Sequence, residues 1–167
     1  VIDRARRAAT FTVRAPRDAS PADAAAIESL GAAWYPLALA RELEDAILSM
    51  RTNELDIGTW LLKTAGSPAN VRSMDAALLA NKDHWFVRET TGLLRRTFSR
   101  LDVSSRSLFA LIEEGSCFVG SFLEFALACD RSYQLVLPDE PQRTPRIEVG
   151  ETNFGFYPMA TNQSRLG

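Results

Sequence analysis

The sequence is poor in cysteine and histidine, which leaves few ligands for a metal ion. Its 167 residues include two cysteines, Cys117 and Cys129, and one histidine, His84. A structural zinc site needs about four Cys or His ligands, so the composition argues against one. A disulfide between the two cysteines is formally allowed, but two free thiols in a reducing cytoplasm are the simpler interpretation. We therefore expect a cytoplasmic location.

A large excess of charge and long hydrophobic runs are also lacking. Nineteen Lys and Arg residues against 21 Asp and Glu residues give a net charge of -2. A nearly neutral domain has no broad electrostatic attraction to nucleic acid or to anionic lipid. No apolar run approaches the roughly 20 residues that cross a bilayer. The sequence thus predicts neither nucleic acid nor a membrane as a partner.

The length and the balance of residue types are those of one ordinary globular domain. Hydrophobic residues make up 46% and charged residues 24% of the chain, which argues against intrinsic disorder. The sequence opens on Val1 rather than Met, and residues 163–167 read as the start of a helix. We expect a single domain, with a first strand and linker over 1–35 and a core over 36–167, that is a fragment of a longer polypeptide.

Hydrophobic periodicity predicts strands that alternate with helices. The predicted strands span residues 10–14, 56–64, 107–112, 133–137 and 146–149. A helix start is predicted at Ser20, with Pro21 in the first turn. Further helices are predicted over 36–51, over 73–100 with a bend at 90–92, and over 122–129. This alternation is typical of a layered α/β domain.

The strand, turn and helix over residues 107–130 form the unit most able to support chemistry. Backbone N–H groups at the Gly120-Ser121 turn could stabilise negative charge on a nearby oxygen. Glu124 lies about one turn into the following helix, and Glu151 follows a predicted strand. Two carboxylates that share a water could act as acid and base. The alternative is that Glu124 is a solvated helix residue and Glu151 an ordinary loop acid.

The same turn resembles the signature of the crotonase (enoyl-CoA hydratase/isomerase) superfamily, a run of glycines followed by Glu-Leu-Ala-x-x-Cys-Asp. Here Gly120-Ser121 precedes Glu-Phe-Ala-Leu-Ala-Cys-Asp at residues 124–130. The later part of that signature is Pro-Glu…Gly…Pro…Gln-Arg-Leu. It is matched here by Glu151, Gly155, Pro158 and residues 163–166. The resemblance implies an α/β fold with a crotonase-like spiral of ββα units, truncated before the C-terminal helical region.

Longer stretches resemble one narrower group, the benzoyl-CoA-dihydrodiol lyase family. They lie at residues 51–55, 58–60, 83–90, 101–113, 115–118 and 153–155. The resemblance implies the second of two crotonase-like halves of an oligomeric enzyme of aerobic benzoate degradation. That enzyme opens the ring of 2,3-epoxybenzoyl-CoA with water and releases formate. It implies a CoA-thioester substrate, the other half and further copies as partners, and no metal or organic cofactor.

The resemblance also implies roles for individual residues. Backbone N–H groups of an oxyanion hole, with Gly120 and Ser121 among its residues, would polarise the thioester carbonyl. Glu124 and Glu151 would position or deprotonate water. Arg72 could meet the CoA phosphates, although solvation or ion pairing at the surface is the ordinary role of such an arginine.

Two departures from the superfamily pattern lead to a second hypothesis. Phe122 stands where the pattern usually keeps glycine, and residues 72–75 lack the glycine of the Ala-Gly-Ala-Asp segment that carries the first oxyanion donor. The first hypothesis is a catalytic half of a lyase, and the second is a non-catalytic half that serves as scaffold and oligomer contact. A third, a generic enoyl-CoA hydratase or isomerase, fits the general signature but not the narrower stretches.

Overall fold

The computed structural model describes residues 1–166 and contains a five-stranded sheet. The strands lie side by side in chain order. The first pair is antiparallel and the other three pairs are parallel. The strands are β1 (Ile2–Asp3), β2 (Ala8–Arg14), β3 (Thr59–Ala65), β4 (Ser107–Ile112) and β5 (Arg131–Gln134).

The core lies against one face of this sheet. In β3, Trp60 and Leu62 are buried, and their register partners Leu108 and Ala110 in β4 are buried beside them. Lys63 lies between the buried positions and points to the opposite face, where its ammonium group meets a surface glutamate. The alternation follows from the two-residue period of a strand, and it gives the sheet one face that packs and one that is partly solvated.

Helices cover the packed face. Residues Leu39, Leu43, Ile47 and Met50 are buried at three- and four-residue spacing, so one stripe of the longest helix faces the core. That helix packs against the fourth. The helices are α1 (Ala24–Leu30), α2 (Tyr35–Asn53), α3 (Pro68–Ala80), α4 (Trp85–Asp102) and α5 (Leu123–Leu127).

Several predicted elements are confirmed. The α/β class is confirmed by the mixed sheet and helices. The strand predicted over 10–14 lies inside β2, the helix predicted over 36–51 lies inside α2, and the strand predicted over 107–112 coincides with β4. Among the described residues, none of the helices combines the length and the apolar character that crossing a membrane requires.

The single long helix predicted over 73–100 is wrong. It is two helices, α3 and α4, which are separated at residues 81–84. Asn81 ends α3 because its side-chain amide donates to the carbonyl of Ala77, 2.9 Å away, and to that of Ala22. His84 then precedes the first turn of α4. The predicted bend at 90–92 lies within α4, which is helical throughout.

Three smaller predictions also need correction. The first helix begins after Asp23, whose carboxylate accepts from the N–H of Ala26, and not after Ser20. The hydroxyl of Ser20 instead accepts from the indole N–H of Trp34. The strand predicted over 146–149 is a single bridge between Val119 and Glu148. The strands predicted over 56–64 and 133–137 are shifted, by one to three residues at each end, to β3 and β5.

Candidate functional site

A tight turn lies directly before α5 and carries Gly120 and Ser121, two of the residues singled out by sequence. It is one turn of 3-10 helix over Gly120–Phe122. Gly120 has a φ of 47°, in the left-handed region that favours glycine. A Cβ atom at this position would lie 1.9 Å from the Oδ2 atom of Asp75. The close approach of a carboxylate to the backbone therefore also requires glycine here.

Asp75 of α3 binds the turn directly. The N–H of Ser121 donates to Oδ2 of Asp75 over 2.8 Å, and the Ser121 hydroxyl donates to Oδ1. The hydroxyl of Thr152 donates to Oδ2 over 3.3 Å, and the Tyr157 hydroxyl lies 2.9 Å from Oγ of Ser121. All four residues are buried. The backbone N–H that the resemblance assigns to a thioester oxygen is thus bonded to a carboxylate of the same chain.

Burial dominates the acidity of this cluster. Asp75 is 8% exposed. Desolvation raises its pKa from 3.8 to about 6, against the opposing effect of the hydrogen bonds from Ser121 and Thr152. Burial likewise raises the pKa of Tyr157 well above its usual range. A neutral or only partly ionised Asp75 is therefore favoured below about pH 6.

Glu124 is enclosed by partners from the end of the described chain. Its side chain is 2% exposed. Its Oε1 atom accepts from the Asn153 amide over 2.6 Å, and its Oε2 atom accepts from the Arg165 guanidinium over 2.7 Å. The side chain of Arg165 is itself 1% exposed and also binds Asp102 over 2.8 Å. Burial raises the pKa of Glu124, while Asn153 and Arg165 act in the opposite direction.

Glu151 lies in a different setting. It begins a turn of 3-10 helix over Glu151–Asn153, and its side chain is exposed. With Arg88, Arg95 and Phe154 it lines an open surface groove of about 500 Å³. Glu124 instead binds Asn153 and Arg165 in the interior, so the two carboxylates lie in different environments.

Arg72 is a surface residue. Its guanidinium forms an ion pair with Glu148 over 2.9 Å, and both side chains are about half exposed. Ion pairing at the surface is the ordinary role that the sequence analysis gave as the alternative to phosphate binding for Arg72. The two cysteines, Cys117 and Cys129, are both free thiols.

The sequence interpretation missed three residues that determine the chemistry of this cluster: Asp75, Asn153 and Arg165. A signal for Asp75 was present. The buried residues of α3 are Val71, Met74, Asp75, Ala77 and Leu78. A carboxylate among such apolar positions requires hydrogen-bond donors inside the fold.

Comparison with known proteins confirms the narrower of the two resemblances proposed from the sequence. The chain is 53% identical over 165 residues to a benzoyl-CoA-dihydrodiol lyase from Aromatoleum evansii. The match covers 99% of this chain but only 29% of the relative, so the chain spans less than a third of that protein's length. No protein-family model matches the chain.

Proposed function

We propose that this chain is part of a lyase that opens the ring of 2,3-epoxybenzoyl-CoA with water. The products would be a semialdehyde CoA ester and formate. The observation that carries the proposal is the 53% identity over nearly the whole chain to a benzoyl-CoA-dihydrodiol lyase. Because the chain spans 29% of that relative, the activity belongs to the longer protein, in which another crotonase-like half would be the partner.

The fold proposed for this part is crotonase-like. Its support is the parallel order of β2, β3, β4 and β5, together with the strand, glycine turn and helix that end at α5. We propose that residues 1–35 form the first strand and linker of a single domain and that residues 36–167 form its core. Homo-oligomerisation of the complete enzyme is part of the same proposal.

A catalytic role for this half requires the Ser121 N–H to meet the thioester oxygen, with Gly120 shaping the turn. It also requires that Glu124 and Glu151 hold a water between them. Against this role, the Ser121 N–H is already bonded to Asp75. An oxyanion placed there would meet the negative charge of Asp75 at close range and would be repelled by it.

A non-catalytic role for this half is favoured by that same contact. Both oxygens of Glu124 already accept hydrogen bonds, from Asn153 and Arg165, and Glu124 is 2% exposed, so its carboxylate is engaged inside the fold and has little access to water. In this role, a polar core made of Asp75, Ser121, Glu124 and Arg165 fixes the turn. The chemistry would take place in the other half of the enzyme.

Substitutions in the complete enzyme separate the two roles. Formate release from 2,3-epoxybenzoyl-CoA is measured for Glu124→Gln, for Glu151→Gln and for Glu89→Gln, an exposed carboxylate on α4 that serves as the matched control. The non-catalytic role predicts a kcat within about twofold of the parent for all three, once circular dichroism shows that they are folded.

A loss of kcat by orders of magnitude in Glu124→Gln or Glu151→Gln alone would assign the catalytic role to this half. Turnover of crotonyl-CoA without turnover of the epoxide would instead refute the lyase and favour a generic hydratase. The complete enzyme is therefore assayed with both substrates.

A further inference from the structure

The surface groove beside α4 combines positive charge with aromatic surface. Its volume of about 500 Å³ falls within the range of small-molecule sites. Its cationic side chains come from α4 and from the residues just before that helix, and its aromatic side chains come from the turn over residues 154–156. These side chains are Lys82, Arg88, Arg95, Phe154 and Phe156.

Arg95 is held in a fixed position in this groove. Its Nε–H donates to the carbonyl of Phe156 over 2.6 Å, and its guanidinium carbon lies 5.2 Å from the centre of the Phe156 ring. The hydrogen bond uses Nε, so the two terminal nitrogens can donate to an anion at the same time. Because the side chain is already positioned, less conformational entropy is lost when it binds one.

Arg88 is a second donor on the same side of the groove. It lies two helical turns before Arg95, so both side chains extend from one face of α4. Its guanidinium contacts the neighbouring Glu89 at 3.3 Å, and the two side chains are 63% and 68% exposed. An ion pair at such an exposed position contributes little free energy. A carboxylate in the groove can therefore compete for Arg88.

Phe154 supplies apolar surface beside these cations. It is 71% exposed. The turn at Gly155, whose φ of 87° lies in the left-handed region, leaves Phe154 exposed while Phe156 packs edge-on against Tyr157. An aromatic ring placed against Phe154 would remove apolar surface of both rings from water.

We propose that this groove binds a small aryl carboxylate, with its ring against Phe154 and its carboxylate between Arg88 and Arg95. An inorganic anion would leave the phenylalanine exposed, and a neutral arene would leave the guanidinium groups without a charged partner. The inference goes beyond the proposed function and does not depend on it, because it concerns binding of a free acid and includes no chemical step.

The charge of the whole lining is compatible with one carboxylate. Lys82 adds a third cation, while Asp83 and Glu151 contribute two carboxylates. Three positive charges and two negative charges leave the lining with one net positive charge. Glu151 repels a bound anion, so its removal should strengthen binding.

A titration of the isotopically labelled chain with benzoate, followed by nuclear magnetic resonance at pH 7, tests the proposal. The backbone N–H of Gly155 and the Nε–H of Arg95 report on the groove. The backbone N–H of Leu62, in the middle of the sheet, reports whether each protein is folded. Benzamide lacks the charge of benzoate and acetate lacks its ring, so these two compounds are the matched ligands.

We expect benzoate to shift both groove signals saturably and to bind more tightly than benzamide or acetate. Arg88→Gln should raise the dissociation constant about threefold or more, and Phe154→Ala should raise it about three- to tenfold. Glu151→Gln should lower it about twofold. Arg41→Gln, which removes an exposed arginine of α2 outside the groove, is the matched control and should leave it unchanged.

Three results would overturn the proposal. The first is the lack of a saturable shift with benzoate in the folded chain. The second is equal affinity for benzamide, because the guanidinium groups would then play no part. The third is equal affinity for acetate, because Phe154 would then play no part. The lyase assay uses a different ligand and a chemical readout, so its outcome is independent of this titration.

Discussion

Replacing Asp75 by asparagine will change how the stability of the chain depends on pH. The asparagine oxygen can accept from the Ser121 N–H in place of Oδ2. Its amide nitrogen can then donate to the Ser121 hydroxyl, which in turn can donate to Tyr157, 2.9 Å away. The substitution keeps the cluster bonded and removes only the ionisable group.

The magnitude follows from the raised pKa of Asp75. Its pKa is about 6 in the folded chain, against an ordinary value of 3.8. Between these two values the unfolded chain has lost the proton and the folded chain still holds it. The free energy of unfolding therefore falls as pH rises through this range and levels off above pH 6. The fall contributed by Asp75 is about 3 kcal/mol, and Asp75→Asn lacks it.

Urea unfolding followed by circular dichroism at pH 4, 5, 6 and 7 measures the effect. The stability of Asp75→Asn relative to the parent should rise by about 2 kcal/mol from pH 4 to pH 7, because part of the total change lies below pH 4. Glu124, whose charge adds to the pKa shift of Asp75, is present in both proteins, so its own titration largely cancels in the difference. A difference that stays constant across this range would refute the account of Asp75 as a buried, desolvated acid.

Two further predictions concern the same cluster. Arg165→Leu leaves the buried carboxylate of Glu124 without its cation and should lower the free energy of unfolding by about 3–5 kcal/mol. The double variant with Glu124→Leu should recover at least half of that loss in stability. A double variant that recovers none of it would contradict the pairing. Gly120→Ala should lower the free energy of unfolding by about 2–4 kcal/mol because its Cβ would meet Asp75. In a protein that also carries Asp75→Gly, only the cost of the positive φ, about 1 kcal/mol, should remain. Gly92→Ala, in an open helical position, is the control and should stabilise the chain by about 0.5–1 kcal/mol. Equal costs of Gly120→Ala in both backgrounds would rule out the contact with Asp75.

The elements that sequence reasoning predicted well are those whose burial pattern is local. The buried positions Leu39, Leu43 and Ile47 in α2 recur at helical spacing, and β4 has an uninterrupted apolar run. Boundaries set by side chains from distant segments were predicted less well. Asn81 ends α3 partly through the carbonyl of Ala22, 59 residues away, and no periodicity within the helix reveals that bond.

The candidate site illustrates the same limit more strongly. A turn motif predicts which backbone N–H groups are free of helical partners, but not what accepts from them. Asp75 reaches Ser121 across 46 residues of sequence, and Arg165 reaches Glu124 across 41. Both are charged groups inside the fold, where an unpaired charge is costly, so each requires its partner. A glycine turn followed by a glutamate is therefore equally compatible with an oxyanion hole and with a self-bonded polar core. The buried acid on the neighbouring helix is what favours the second.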